Sequence, residues 1–333
     1  MTRTASWLLS AGALLFIGVL LTQGLPAVLA TLALAGWGLL LLALFHLLPL
    51  GLDAAAIRVL LPATPRGSAR AAWLARWAGE SANSLMPAGQ IGGPVLMVRD
   101  LAHRGIPMPQ AAAAITVSTT FQTLAQIFFA LSGLALLGAR ASQSALQEIR
   151  APLLTISGVL ALCLAGFYLA QRRGLFRGLT RTSARLFRHR DWSELMNHAE
   201  AIDLAVQQVH RHAARVAASF VLSLIGWVVG TGEVYLLLLL LRSPVGWADA
   251  MLLESLGQAI RGAAFAIPGA LGVQEAGYLM LAPLAGLSAE TALALSLAKR
   301  ARELLLGIPG LLYLHLADRD WRRRRVACAG AGD

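Results

Sequence analysis

Apolar runs of about 20 residues recur along the whole chain. Each is long enough to cross the ~30 Å hydrocarbon core of a bilayer as a helix. A soluble fold of this size has no interior that would hide them all. Of the 333 residues, 57% are hydrophobic and 14% charged, against a usual charged share of about 25%. In lipid, backbone polar groups must be satisfied within the spanning element. The fold class that follows is all-α, a polytopic membrane helix bundle forming one integral membrane domain over 1–333.

Full spans are expected at about 7–23, 29–51, 110–138, 151–170, 215–241 and 290–316. Two further apolar units, 71–104 and 248–286, are each split by Pro and Gly. The first runs through Glu80, Asn83, Pro87, Gln90 and Gly92-Gly93; the second through Glu254, Gln258, Arg261, Pro268, Gly272, Gln274 and Glu275. Pro and Gly free backbone groups that lipid does not satisfy, so such segments belong where broken helices line a protected polar cavity. Each unit is read as a re-entrant hairpin of two half-helices. The order is then two spans, a hairpin and one span, twice over: 1–138 and 151–316 as an inverted repeat.

Basic residues orient this scheme. All but one of the 28 Lys and Arg residues are Arg, the exception being Lys299. Arg3, the cluster from Arg58 to Arg76, the cluster from Arg172 to Arg215, and the tail with Arg319 and Arg322 to Arg325 fall on one side; Arg140, Arg150 and Arg242 fall on the other. The positive-inside asymmetry predicts both termini in the cytoplasm. Arg3, the run after it and Val28-Leu29-Ala30 imitate a cleavable signal peptide, but no clear polar break precedes the next run. The net charge of +11 is therefore assigned to orientation and anionic headgroups, not to nucleic acid. Residues 171–214 form a cytoplasmic connector, and 317–333 a basic tail. Within the connector, Leu195, Met196, Ala199, Ile202, Val206 and Val209 recur at helical spacing. Two placements of that amphipathic helix stand equal: in the membrane interface, or packed under the bundle.

A charge at bilayer depth costs at least about 2.5 kcal/mol even on lenient scales, so the ionisable residues inside spans should pair, face a cavity, or both. Arg76 and Glu80 lie four apart and can pair on a helix face. Glu254, Gln258 and Arg261 share another face, and Lys299, Arg300 and Glu303 form a charged stripe in the last span. Lys299 or Arg300 is expected to meet Glu254, Glu275 or a lipid phosphate. Glu275 also suits a capping contact at a half-helix start. Glu233 offers a place for a coupling proton; balancing an arginine is its more ordinary role. Thr116, Thr119, Thr120, Thr123 and Gln126 make a polar stripe that serves helix–helix hydrogen bonding or a cavity wall. No Walker motif or Ser-centred nucleophile elbow occurs. His198, His210 and His212 lack acidic or Cys partners at ligand spacing, so no metal and no cofactor is expected.

Glu80-Ser81-x-Asn83 ahead of Pro87 and Gly92-Gly93, together with Pro268-Gly269-Ala270-Leu271-Gly272-Val273-Gln274-Glu275, resembles the lysylphosphatidylglycerol synthase transmembrane family, also called flippase-like membrane proteins. Ala259-Ile260-Arg261 and the run Glu290 to Glu303 look closest to its hopanoid-biosynthesis-associated branch. The resemblance implies a bacterial inner-membrane protein connected with lipid translocation. It does not imply the synthase reaction, which belongs to a soluble aminoacyl-transferase domain that members acting on lipids carry after their spans.

The leading expectation is a translocator of a polar-headed lipid, with the two hairpins gating a mid-membrane site. Its partners would be membrane lipids and anionic headgroups, with the cargo a hopanoid or a hopanoid precursor. Two alternatives stay open. One is an intramembrane lipid-modifying enzyme using Glu80 or Glu254 as general acid or base. The other is a scaffold recruiting lipid or hopanoid biosynthesis enzymes through 180–214 and the tail. Oligomeric state is not legible.

Overall fold

The computed structural model describes residues 33–62, 69–86, 89–140, 193–264 and 267–329, with Ala30 and short pieces between 162 and 178. The expected spans at 7–23 and 151–170 lie outside the described residues, apart from isolated positions of the second. The longer helices are α1 (Gly38–Arg58), α2 (Ala69–Leu85), α3 (Gly89–His103), α4 (Met108–Arg140), α5 (Ser193–Arg211), α6 (Ala213–Leu240), α7 (Trp247–Ala263), α8 (Val273–Leu281) and α9 (Ala289–Ala329). No strand occurs among the described residues. Helices α1, α4 and α6 are long and apolar enough to cross a membrane. At 1.5 Å per residue the 21 residues of α1 extend about 31 Å, one hydrocarbon thickness.

Boundaries differ from the expected ones where a local signal overrode hydropathy. Within the span expected at 29–51, Ala30 and Ala33 are already helical, a turn follows in which Gly36 takes φ 46°, and α1 begins at Gly38. It then runs past Pro49 to Arg58. The last helix continues from Ala289 to Ala329, so the residues expected as a separate tail extend it through its last described turn. Both split units do break near the expected positions: α2 ends at Leu85 and α3 starts at Gly89, while α7 ends at Ala263 and α8 starts at Val273.

Helices α1 and α6 run antiparallel and close. Gly38 lies against Leu240, Gly232 against Phe45, and Gly226 against Leu52 and Asp53. In lipid, small residues permit this approach, and dispersion between backbones replaces the hydrophobic drive available in water. Apolar packing forms two clusters. One joins Leu42 of α1 to Leu237, Leu238, Leu252, Leu253 and Leu295. The other joins Ile57 and Leu61 at the far end of α1 to Ala72, Leu101, Ala114 and Val117. His46, Pro49, Leu50 and Asp53, which lie between these ends of α1, face a polar cavity.

The amphipathic helix is observed as α5. Its Ile202, Ala205, Val206 and Val209 pack into the second apolar cluster against α4, so protein covers that part of its apolar stripe.

Candidate functional site

Six helices contribute polar side chains to one space, five of them as sets at helical spacing. Helix α1 supplies His46 and, seven residues on, Asp53; α2 supplies Arg76, Glu80 and Asn83; α4 supplies Thr119, Gln122, Thr123 and Gln126. Helix α6 supplies Glu233, α7 supplies Glu254, Gln258 and Arg261, and α9 supplies Lys299, Arg302 and Glu303. Steps of three, four and seven stay on one helix face, which is how chains that are apolar elsewhere aim charge at a common point. The cavity is about 230 Å³. It lies beside the middle of α1 and α4, the depth at which uncompensated charge is most costly.

The charges compensate one another. Asp53 accepts from Arg76 at 2.6 Å and from the Gln122 amide at 2.6 Å. Arg76 also reaches Glu80 at 3.5 Å. The expected Arg76–Glu80 pair is therefore present but secondary, because Asp53 lies closer. Glu80 meets Nε2 of His46 at 2.7 Å, and Nδ1 of the same ring meets Glu233 at 2.8 Å. Glu233 lies 3.3 Å from Arg302, which makes a 3.7 Å ion pair with Glu303. Glu303 also holds Arg261 and, at 3.2 Å, Arg300. A separate buried pair joins Lys299 to Glu254 at 2.5 Å. Gln258 donates to Glu254 at 2.8 Å, and its own carbonyl accepts from Gln126 at 3.0 Å.

The site residues expected from sequence divide in two. Arg76, Glu80, Asn83, Glu233, Glu254, Gln258, Arg261, Lys299 and Glu303 line the cavity. Gln274, Glu275 and Arg300 stand behind it and brace the α7–α8 break. There the chain turns through Gly269, Ala270 and Gly272, all with positive φ. Arg300 donates to the carbonyls of Gly269 and Ala270 at 2.5 and 3.2 Å and pairs with Glu275 at 3.2 Å. Glu275 accepts from the Gly272 N–H at 2.8 Å, so it does cap α8. Gln274 bridges Arg261 (3.1 Å) and Ser296 (2.9 Å). Pro268 opens the short 3-10 turn Pro268–Ala270. Pro87 lies outside the described residues, and Gln90 is described only as backbone in the first turn of α3. Lys299 and Arg300 thus meet Glu254 and Glu275, the two carboxylates expected for them.

Asn83 has a second task. Its Oδ1 accepts from the Gly93 N–H at 2.9 Å, tying α2 to α3 next to the break. Of the threonine stripe, Thr119, Thr123 and Gln126 form cavity wall, while the Thr120 hydroxyl turns back to the Thr116 carbonyl at 2.8 Å.

Sequence reasoning missed His46, Asp53, Gln122 and the cavity-facing role of Arg302. The signal was present: His46 and Asp53 are polar residues two helical turns apart in an otherwise apolar run. Hydropathy over a window averages that pair away. No group of three or more metal-ligating side chains occurs among the described residues.

The family described as the lysylphosphatidylglycerol synthase TM region matches residues 4–310. No curated protein and no solved structure matches the chain.

Proposed function

This chain belongs to the lysylphosphatidylglycerol synthase TM-region family, and from that premise we propose that it is a flippase-like translocator carrying a polar-headed lipid across the bacterial inner membrane. The observation that carries the reading is the cavity: ten ionisable side chains from α1, α2, α6, α7 and α9 converge beside helices long enough to span. Burying that many charges is costly, and a lipid headgroup in transit is a ligand that needs them.

In this reading α2–α3 and α7–α8 are re-entrant hairpins entering from opposite leaflets. The order single helix, broken pair, single helix occurs twice among the described residues, as α1 to α4 and as α6 to α9. That recurrence supports an inverted repeat around a central site. The arginine asymmetry supports cytoplasmic termini. Arg261 and Arg76 are the groups that exchange their carboxylate partners for a headgroup phosphate, and the resemblance to the hopanoid-associated branch makes a hopanoid or its precursor the candidate cargo. An enzymatic role is less well supported, because each cavity carboxylate is already engaged by a cation or by His46 and none stands free as a general base.

The test is reconstitution in vesicles with fluorescent phosphatidylglycerol, phosphatidylethanolamine and an amine-bearing hopanoid, followed by quenching of the outer leaflet. Wild type should accelerate exchange of at least one probe. Arg261→Ala and Glu80→Gln should each slow it by about tenfold or more, since one hydrogen bond to a charged group is worth roughly 1.5–3 kcal/mol. Exchange no faster than in protein-free vesicles for all three lipids would refute the proposal.

A further inference from the structure

Building on the transport reading, we propose that His46 carries a proton whose binding and release are coupled to lipid movement, so that a proton gradient drives the carrier. His46 sits near the middle of α1, with its side chain 14% exposed. Its two ring nitrogens face carboxylates on two different helices, Glu80 of α2 at 2.7 Å and Glu233 of α6 at 2.8 Å. A neutral imidazole has one N–H; only the imidazolium donates from both nitrogens. Charge counting reaches the same point independently. Four cations face the cavity (Arg76, Arg261, Lys299, Arg302) against five carboxylates (Asp53, Glu80, Glu233, Glu254, Glu303), a deficit of one. His46 is the one histidine lining it among the described residues, and one proton on His46 closes the deficit. Oε1 of Glu233, buried, has no hydrogen-bond partner among the described residues, so this carboxylate has acceptor capacity to spare.

The surroundings supply both states of a switch. Helix α2 presents Arg76 and Glu80 toward His46, α6 presents Glu233, α9 presents Arg302 and Lys299, α7 presents Glu254 and Arg261, and α1 itself adds Asp53. Helix α4 lines the cavity only with neutral groups. Arg302 Nη1 lies 2.8 Å from Nε2 of His46 and also touches Nδ1. With the proton bound, the ring donates to Glu80 and Glu233 and ties α1 to α2 and α6. With the proton gone, one ring nitrogen becomes an acceptor facing a carboxylate, that bridge is lost, and Arg302 of α9, beside the ring and 3.3 Å from Glu233, is the nearest donor for the groups released. The proton arrives from water on one side of the membrane and leaves to water on the other from the same nitrogen. No other reactant is required.

The decisive experiment sets the inside of proteoliposomes one pH unit below the outside, or equal to it, with fluorescent phosphatidylglycerol as probe. For one proton per cycle, the wild-type ratio of outward to inward lipid movement should change by up to about tenfold per pH unit. In His46→Gln that ratio should not respond to the gradient, whatever the absolute rate. A wild type that moves the probe with the same ratio in both conditions overturns the coupling and leaves the transport reading intact; this holds even if His46→Gln does not fold. A second measurement needs no cargo. NMR of nitrogen-labelled histidine in the full chain in nanodiscs should show a ring protonated on both nitrogens that becomes neutral as pH rises, and this signal should vanish in His46→Gln. A His46 ring that stays neutral from about pH 5 to about pH 9 removes the proton site whether or not lipid moves. A protonated ring without movement of any probe supports the proton site and counts against the transport reading.

Discussion

Lys299→Met isolates the cost of burying a carboxylate without its cation. Lys299 and Glu254 are nearly sealed, with side chains 2% and 5% exposed, and 2.5 Å apart. Methionine keeps most of the length and apolar body of the lysine. Among the described residues Glu254 then retains the Gln258 amide at 2.8 Å and the Tyr278 hydroxyl at 3.4 Å. Breaking one partner out of a buried pair costs about 3–5 kcal/mol. The expected loss of stability is therefore about 3–5 kcal/mol. The assay is unfolding by SDS in mixed micelles, followed by tryptophan fluorescence, for wild type, Lys299→Met, Glu254→Gln and the double variant. The double variant removes both charges and keeps the Gln258 contact, so it should lie within about 1 kcal/mol of wild type. A Lys299→Met deficit below about 1 kcal/mol, or a double variant as unstable as Lys299→Met, would refute the reasoning.

Two other substitutions probe the broken helices. Gly93→Ala should lower stability by about 1–3 kcal/mol, because a Cβ there would sit 2.5 Å from the Gly79 carbonyl and 2.3 Å from Asn83 Oδ1; Gly51→Ala, where nothing lies within 4 Å, is the control and should be close to neutral in the same unfolding assay. Ala270→Gly should raise the unfolding midpoint by an amount equivalent to about 0.5–1 kcal/mol, since Ala270 holds φ 49° and glycine meets no steric penalty there; no change would mean that Arg300 already absorbs the strain.

What could be read from the sequence follows from how each signal scales. Apolar runs and Pro-Gly breaks are contiguous, so the long helices α1, α4 and α6 and both helix breaks were visible as composition along the chain. The cavity-facing set on α2, α7 and α9 was visible because three or more polar residues repeat at helical spacing there, as in Glu254, Gln258 and Arg261. On α1 only His46 and Asp53 interrupt the apolar face, and two residues do not make a periodicity. Partner choice was harder still. Arg76 has an acid four residues away in Glu80, yet its closer contact is Asp53 on another helix, and no one-dimensional spacing encodes that distance. Arg300 was expected to meet an acid and does meet Glu275, but its second role escaped for the same reason: its further targets are backbone carbonyls at Gly269 and Ala270, which carry no sequence signature.

The division between groups facing the void and groups bracing its wall has a physical basis. A helix broken among apolar neighbours leaves carbonyls and amides that neither lipid nor an i−4 partner satisfies. At α7–α8, Arg300 supplies donors to the freed carbonyls and Glu275 supplies an acceptor to the freed amide. Their opposite charges then neutralise each other at 3.2 Å. One ion pair thus serves three backbone groups of the break, the Gly269 and Ala270 carbonyls and the Gly272 amide, and hides its own charge. Arg261, one turn earlier, contacts Glu303 and Gln274 but none of these backbone groups, so it can change partners without unravelling the turn. That difference is why Arg261 belongs in a transport assay, and why any loss of transport in an Arg300 or Glu275 variant has first to be measured against stability.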